Sequence, residues 1–324
     1  MRPRALSFYF LGAATVGCSL VVSLDELGGG QSDGGLDAPF DVAINDAGNE
    51  ATFDAGPMCD PTKPFTTVRQ ITELDTTRTE NHASLSPDEL QIWFSSDRAA
   101  DVAGPRDIFT ASRTLRTDPF GPATMVTELA TPNDEGQPWI GSDLRSIAFA
   151  RQVNANWDLY LATRQGKTGA FGTPGAIAIL NTTAVEWMPV LSSDGGMIYF
   201  VSDREGGTDI WSWPYGSSTP PARVSEIDTA SAEQRPCISA DSLWLYWSSN
   251  RTDITGGKGA LEIFYAHRTN VQDKFSNITL VPELSTSANE DPDWLSPDLC
   301  RLYFHSNRTQ GMGAEDLWIA ERSP

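Results

Sequence analysis

The chain has 324 residues, 40% of them hydrophobic, which is enough to form the core of one large domain or two ordinary ones. Its formal net charge of −20 at pH 7 excludes a general affinity for nucleic acid or anionic lipid headgroups, because both require a basic surface. Cations or basic partners are favoured instead. No apolar run reaches the roughly 18 residues that a membrane-spanning helix needs.

The first 18 residues have the layout of a bacterial export signal. Residues 1–4 are basic, residues 5–16 are apolar, and residues 15–18 read Thr-Val-Gly-Cys. This tetrapeptide resembles a lipobox, in which Cys18 would be diacylated and become the first residue of the mature protein. Thr15 departs from the Leu usual at that position, and an ordinary cleaved signal peptide is the alternative. Ser19 resembles the outer-membrane pattern, so the sequence predicts an exported outer-membrane lipoprotein facing the periplasm or the cell surface.

Residues 19–60 form an acidic segment rich in Gly, Asp and Ala. It contains no Lys or Arg, and its only aromatic residues are Phe40 and Phe53. Such a composition cannot bury enough apolar surface to offset the entropy of the ordered chain. The sequence therefore predicts a disordered tether with a typical reach on the order of 35 Å, which separates the membrane anchor from a folded domain.

A five-fold repeat dominates residues 61–324. Each copy has a Glu eight residues before an Asp, and an aliphatic and an aromatic residue four and six positions after that Asp. A block such as Asp209-Ile210-Trp211 follows. The Glu and Asp pairs are Glu80 and Asp88, Glu135 and Asp143, Glu186 and Asp194, Glu233 and Asp241, and Glu290 and Asp298. Repeats of roughly 40 to 55 residues built from short β segments are typical of a β-propeller. The sequence predicts an all-β fold of five four-stranded blades, with six blades as the alternative.

Each repeat predicts four strands, A to D, in chain order. Strand A follows the Glu, a tight turn lies at Ser-x-Asp, strand B carries the aliphatic and aromatic residues, and strand C carries the Asp-Ile-Trp block. Strand B is apolar at successive positions, which indicates burial on both faces. Residues 68–71 read as a D strand that precedes the first A strand, and the chain ends just after the fifth C strand. We expect residues 68–71 to close the ring as the outer strand of the last blade.

The cysteines favour the same closure. With Cys18 reserved for lipid, Cys59, Cys237 and Cys300 remain. Cys59 lies just before the closing strand and Cys300 just after the fifth A–B turn, and these points fall at the same end of an antiparallel blade. The sequence predicts a Cys59–Cys300 disulfide formed in an oxidising compartment. Cys237, on an inner strand, is expected to be a buried free thiol.

The strings SPDELQIWFSSDR and SPDLCRLYFHSNR, with DIF and DLW later in their repeats, resemble the TolB-type, WD40-like β-propeller repeat of bacterial envelope proteins. The resemblance covers about four fifths of the chain and implies a propeller in the cell envelope. The chain departs from TolB in having a tether in place of a folded N-terminal domain. Its second copy, IAFARQVNANWDLY, also lacks the SDR or SNR of other copies. The resemblance is specific for the fold and weak for function.

The repeated glutamates have two interpretations. A residue that recurs in every blade is first a solution to a repeated packing problem, which predicts structural hydrogen bonds and ion pairs with Arg98, Arg204, Arg251 and Arg308. The alternative places five carboxylates around the central channel as ligands for Ca²⁺, a hard cation that takes oxygen ligands. This candidate metal ring is Glu80, Glu135, Glu186, Glu233 and Glu290. No other cofactor is predicted.

The positions that vary within the fixed frame are the candidate binding residues. Two places after the Glu stand His82, Gln137, Met188, Arg235 and Pro292, and one place after it stand Asn81, Gly136, Trp187, Gln234 and Asp291. If these residues line the mouth of the channel, they form a chemically mixed surface suited to a peptide or a sugar. Ordinary loop variation is the alternative.

Motifs for catalysis are scarce. The sequence has no Gly-x-Ser-x-Gly, no His-Glu-x-x-His, no phosphate-binding loop and no Cys-x-x-Cys. Its three histidines, His82, His267 and His305, suggest no triad or metal cluster. Five-bladed propellers do include glycoside hydrolases, which need only two or three carboxylates at the channel mouth. For that activity the acids to inspect are Asp134, Asp291 and Asp293.

The anchor, tether and repeats together predict a lipid-anchored envelope propeller without enzymatic activity. It would bind or scaffold an envelope protein or a peptidoglycan-associated partner, and its contact with the membrane would be through the lipid alone. An extracytoplasmic glycan-binding or glycan-hydrolysing propeller is the alternative.

Overall fold

A computed structural model describes residues 58–99, 105–258 and 260–324, and these residues form twenty strands in five antiparallel four-stranded sheets. The predicted five-bladed propeller is confirmed, and the six-bladed alternative is not. Blade 1 is β2 (Glu80–Leu85), β3 (Gln91–Ser96), β4 (Asp107–Ser112) and β5 (Thr124–Met125). Blade 2 is β6 (Glu135–Ile140), β7 (Ser146–Val153), β8 (Asn156–Thr163) and β9 (Gly175–Ala176). Blade 3 is β10 (Glu186–Leu191), β11 (Met197–Ser202), β12 (Asp209–Pro214) and β13 (Ala222–Arg223).

The last two blades follow the same plan. Blade 4 is β14 (Glu233–Ile238), β15 (Trp244–Ser249), β16 (Glu262–His267) and β17 (Ser276–Leu280). Blade 5 is β18 (Glu290–Leu295), β19 (Arg301–Ser306) and β20 (Asp316–Glu321), completed by β1 (Thr67–Gln70) from the other end of the propeller sequence. The A strands of neighbouring blades pack against one another, which makes them the innermost strands around the axis.

The A–B turns have one conformation in all blades. In blades 1, 3, 4 and 5 the Ser hydroxyl donates a hydrogen bond to the Asp carboxylate two residues later, as from Ser192 to Asp194 at 2.5 Å, and blade 2 has Gly141 in place of the Ser. The residue after the Asp has a positive φ in each of the five turns, as Glu89, Leu144, Gly195, Ser242 and Leu299. A left-handed residue after a tight turn lets the chain reverse into strand B with the twist of the sheet.

The core lies between the blades. The aromatic residue of strand B is inaccessible to solvent in each repeat, at Phe94, Phe149, Phe200, Trp247 and Phe304. The continuous apolar pattern of strand B thus has the predicted cause, because both faces of the strand are covered by neighbouring blades.

Strand β1 closes the ring as predicted. It pairs antiparallel with β20, with Thr67 opposite Glu321 and Gln70 opposite Trp318. The disulfide joins Cys59 to Cys300 with their Cα atoms 5.0 Å apart, and the Cys59 N–H donates to the Asp298 carbonyl at 2.9 Å. Cys237 is a buried free thiol.

The predicted signal peptide, Cys18 and nearly all of the tether lie outside the described residues, so their assignments stay predictions. Within the part of the chain that the structure describes, no helix has the length and apolar character needed to cross a membrane.

Removing the disulfide should destabilise the closed ring. The bond spans 241 residues, and a cross-link of that span restricts the unfolded chain strongly. We expect Cys59→Ala/Cys300→Ala to lower the free energy of unfolding by about 2–5 kcal/mol in chemical denaturation. A reductant should lower the denaturant concentration at the unfolding midpoint of the native protein, because it breaks the disulfide. It should leave the unfolding midpoint of the double variant unchanged. Equal midpoints for the oxidised protein and the variant would contradict this role.

Candidate functional site

The repeated glutamates hold each inner strand to the loop before it. The Glu186 carboxylate accepts hydrogen bonds from the N–H and the hydroxyl of Thr182 at 2.8 and 2.7 Å, and from the Ser202 hydroxyl at 3.0 Å. Arg204 completes the arrangement with an ion pair to the same carboxylate at 3.1 Å. The other blades use the same Thr four residues before the Glu, at Thr76, Thr131, Thr229 and Thr286.

The second repeat reaches the same arrangement with a different residue. It lacks the SDR string, and Arg151 stands where other blades have the Ser that contacts the Glu. The Arg151 Nε atom pairs with Glu135 at 2.7 Å, and its guanidinium donates to the Leu129 carbonyl at 2.9 Å. The departure noted in the sequence is therefore compensated inside the blade.

The five glutamates of the candidate Ca²⁺ ring are not close to one another in the structure. Among the described residues, no cluster of closely spaced ligand atoms contains two of the five glutamates. The physical reason is that each carboxylate is already bound by the threonine before it and, in most blades, by the serine or arginine of its own strand B. Two clusters at blade junctions include one repeated glutamate each: Asp75, Glu80 and Asp316, and Asp209, Asp228 and Glu233.

At two other blade junctions, a basic side chain lies at the place equivalent to the surroundings of Asp75. Arg223 pairs with Asp228 at 2.8 Å and with Asp209 at 3.5 Å. At the junction of blades 4 and 5, the Lys258 ammonium donates to the Ser285 carbonyl at 2.5 Å. Beside Asp75, the residue equivalent to Arg223 is the neutral Gln70, since both lie opposite the Trp of strand C. Burial, and then the charges of Asp316 and Glu80, raise the pKa of Asp75 to about 7.

A β-bulge places the variable residues on the axis. In blades 1 to 4 the residue two places after the Glu has a φ between 56° and 59°, and the pairing of strands A and B shifts there. These residues are His82, Gln137, Met188 and Arg235. Pro292 of blade 5 is barred from positive φ by its ring, and there the pairing shifts between Pro292 and Trp294. Bulges re-aim side chains, and non-glycine residues at positive φ concentrate at functional sites.

These five residues line a narrow cavity on the axis. Its volume of about 30 Å³ has room for one or two water molecules and is far below the 300–1,000 Å³ of typical ligand pockets. Hydrogen bonds between blades keep it narrow: the Met188 N–H donates to Gln137 Oε1, and the Gln137 N–H to the Ser95 hydroxyl, both at 2.8 Å.

A buried polar cluster fills one side of this cavity, and we call it the axial cluster. Asp291 lies 2.8 Å from Arg235 and 3.7 Å from His305 Nε2, and Asp293 lies 2.8 Å from His305 Nδ1. The His82 ring is 4.8 Å from the His305 ring and contacts the Arg235 guanidinium. The cluster therefore joins blades 1, 4 and 5.

The pKa values of the two histidines of the cluster are shifted in opposite directions. Burial, and then the Arg235 charge, hold the pKa of His82 well below its usual range, so His82 is neutral at pH 7. Burial alone would lower the pKa of His305 too, but the Asp293 carboxylate raises it above its ordinary value. Two buried atoms of the cluster, Asp293 Oδ2 and His305 Nε2, form no hydrogen bond with any described residue, whereas Arg235 Nε and Asp291 Oδ1 meet as an ion pair at 2.8 Å.

The positions one place after the Glu lie around the same end of the axis. Asn81 is buried and contacts His82 Nδ1 at 2.6 Å, and Trp187 and Gln234 are partly exposed. We call this end of the channel, from which the A strands start, the A-strand mouth. Asp134 does not join the axial cluster. It binds the Arg106 N–H at 2.6 Å and so fixes a loop.

Two members of the site have no motif in the sequence. Glu315 accepts a hydrogen bond from the Asn81 amide at 2.6 Å, and His305 lies between Asp291 and Asp293. Both stand at positions where the repeats differ: His305 replaces the small Ser95, Ala150, Val201 and Ser248 of other blades. A comparison of the repeats at the residue after the strand B aromatic could have singled it out.

The fold and this axial site define a five-bladed β-propeller with an asymmetric channel. No protein-family model matches the chain, and no curated protein is similar to it in sequence. Among solved structures it is similar to TolB from Acinetobacter baumannii, with 14% identity and a TM-score of 0.49 over 82% of this chain and 62% of that one. The chain thus spans less than two thirds of that TolB.

Two further structures show the same fold. A putative TolB from Agrobacterium tumefaciens is 15% identical over 79% of this chain and 97% of its own, with a TM-score of 0.49. A thermostable family-43 glycoside hydrolase is 10% identical over 81% and 96%, with a TM-score of 0.51. At such identities the similarity shows the fold alone.

The raised pKa of Asp75 predicts a pH-dependent stability. The folded state binds the Asp75 proton more tightly than the unfolded state, so this contribution is present below pH 4 and is lost as pH rises through about 7. We expect Asp75→Asn to stabilise the protein at pH 8 by about 1 kcal/mol, after allowance for solvent screening, and to have no effect near pH 4.

Asp228→Asn is the matched control in thermal denaturation, because Asp228 occupies the same place in its junction and pairs with Arg223. It should destabilise the protein at pH 8. Destabilisation by both variants at pH 8 would show that Asp75 is also held as a bound anion.

Proposed function

We propose that this chain is an exported β-propeller that binds a protein partner of the cell envelope through the A-strand mouth. One observation carries the proposal. Four successive blades aim four different side chains at the axis from the same bulged, positive-φ position, while the frame around them is constant. The blades repeat the same backbone and the same glutamate but differ at the bulged residue. This is the expected result if the bulged residues recognise an asymmetric surface of a partner.

The chemistry of the mouth fits a protein partner. Tryptophan and arginine are the residues that most often dominate binding energy in protein interfaces, and both are present here as Trp187 and Arg235. Trp187 and Gln234 remain accessible at the rim. Arg235 is nearly buried and fixed by Asp291, which leaves it pre-organised beneath the surface.

Export is supported by the disulfide. A bond between Cys59 and Cys300 is typical of an oxidising compartment and rare in the cytosol. The signal-like residues 1–18 support the same location. We infer further that Cys18 carries lipid and that the acidic tether holds the propeller away from the outer membrane. Incorporation of a labelled fatty acid into the native protein but not into Cys18→Ser tests the anchor, and equal labelling of both would exclude it.

A glycan-active propeller is the second candidate, and one observation favours it. Asp291 and Asp293 are buried beside the axis, and Asp293 Oδ2 accepts no hydrogen bond from any described residue. Two carboxylates are the catalytic requirement of most glycoside hydrolases. Against this candidate, both acids are tied to His305, and the 30 Å³ cavity cannot admit a sugar ring.

Capture of partners from intact envelopes tests the binding proposal. After mild cross-linking, we expect the tagged full-length protein to retain one or a few envelope proteins reproducibly. Trp187→Ala/Gln234→Ala should reduce their recovery at least about 10-fold, because truncating a tryptophan that anchors an interface commonly costs more than about 1.4 kcal/mol.

Thr279→Ala is the matched control. Thr279 is an exposed residue on the outer strand β17, away from the axis. The Thr279→Ala variant should recover the same amount of envelope partner as the native protein. Equal loss of partner by Thr279→Ala and by Trp187→Ala/Gln234→Ala would contradict a binding site at the A-strand mouth.

The glycan candidate has its own readout. If the propeller is a hydrolase, it should release reducing sugar from an envelope glycan, and Asp293→Asn should abolish the release while Asp134→Asn retains it. Our proposal predicts no release by the native protein. Sugar release that depends on Asp293 would replace the protein-binding proposal.

A further inference from the structure

The opposite end of the axis holds a second cavity, which we call the turn-side pit. Its volume is about 230 Å³. The walls are the final residues of the five inner strands with two tryptophans, and the rim is formed by A–B turn residues. The two tryptophans are Trp139 and Trp294, and the rim includes Ser193 and Ala240.

The pit is apolar and separate from the A-strand mouth. Each wall residue is more than nine-tenths buried and packed from behind, so the wall is pre-formed. The 30 Å³ cavity lies between the pit and the mouth, and Trp139 borders both cavities. A peptide that enters from the turn side therefore meets a blind, apolar depression.

Each turn that forms the rim of the pit carries an aspartate directly after its rim residue. Asp88, Asp143, Asp194 and Asp241 stand at the A–B turns of blades 1 to 4 and are at least partly exposed. The hydroxyl of Ser192 and then the N–H of Gly196 hold the pKa of Asp194 below its usual range, so this carboxylate is ionised. Only the fifth turn differs, because Asp298 is buried and paired with Arg301 at 2.6 Å.

The arginines on this side of the propeller do not cancel the acidic rim. Arg113, Arg164 and Arg268 follow the C strands, two strands farther from the axis than the A strands. Their guanidinium groups donate to the carbonyls of Glu89, Leu144 and Ser242, so they are occupied in holding the turns. Arg116 and Arg301 lie at the first turn and pair with Glu89 at 3.7 and 2.7 Å, and Arg145 is the cation closest along the chain to Asp143.

We propose that the turn-side pit binds one large apolar side chain of a basic peptide segment, with flanking lysines or arginines beside the rim aspartates. The pit is smaller than a typical ligand pocket and suits a single Leu or Phe side chain. The ring of four accessible carboxylates supplies the complementary charge, which steers and selects a cationic partner. This surface is independent of the A-strand mouth and would let the propeller hold two partners at once.

Calorimetric titration of the full-length protein with synthetic peptides tests this site. The probe is a nonapeptide with one central Phe and four lysines on each side. The first control peptide has Ser in place of Phe, and the second has Glu in place of the lysines. We expect the Phe–Lys peptide to bind at least 10-fold more tightly than either control, and to weaken when NaCl is raised to 0.5 M.

Filling the pit provides the decisive variant. Ala240 is exposed on the rim, so Ala240→Trp should fold normally and abolish binding of the Phe–Lys peptide. Ser193→Trp, on the neighbouring turn, repeats the test if the first variant melts early. Thr279→Trp, on the outer strand, and Trp187→Ala/Gln234→Ala, at the other mouth, should bind like the native protein.

Three results would overturn the proposal: equal affinity for the Phe and Ser peptides, equal affinity for the Lys and Glu peptides, or unchanged binding by a folded Ala240→Trp variant. Loss of binding in Trp187→Ala/Gln234→Ala with retention in Ala240→Trp would assign the peptide to the A-strand mouth instead.

Discussion

A buried carboxylate bound by the chain four residues before it is the interaction on which this propeller depends. Burying a charge without partners is strongly unfavourable, and each repeated glutamate meets this requirement within its own blade and the loop that leads into it. Thr182 binds Glu186 with both its N–H and its hydroxyl, while Ser202 binds it from the end of strand B and Arg204 from just after that strand. The incoming loop, strand A and strand B are thereby fixed together, and the start of every inner strand is set at the same height around the axis.

This constraint leaves the next positions free to differ. With the Glu fixed at one end of strand A and the Ser-x-Asp turn at the other, the bulge between them can present any side chain that tolerates a positive φ. His82, Gln137, Met188 and Arg235 occupy that bulge, and Pro292 displaces it in blade 5. Asp291, Asp293 and His305 then place a buried group of ionisable side chains in blade 5. The asymmetry of the site thus arises from a few residues set in a symmetric frame.

The sequence predicted the features that depend on local pattern and failed where tertiary contacts decide. Blade number, closure by residues 68–71 and the Cys59–Cys300 bond follow from the spacing of repeats and from antiparallel geometry. For Glu80 and its equivalents the sequence predicted structural hydrogen bonds and ion pairs, which Thr76, Ser96 and Arg98 provide to Glu80. It left a Ca²⁺ ring as the alternative, because a carboxylate directed at the axis and one directed at its own Thr have the same spacing in the sequence. His305 and Glu315 were missed because they meet Asn81 and His82 only after the ring closes.

Site-specific photo-crosslinking in living cells tests the account's central claim most directly. A photoreactive residue at Gln234, on the A-strand mouth, should cross-link a discrete envelope protein, and Trp187→Ala in the same chain should remove that product. The same residue at Thr279, on the outer strand β17, should yield no such product. Identical products from Gln234 and Thr279, or a Gln234 product that persists with Trp187→Ala, would contradict a partner-binding site built on the bulged inner strands.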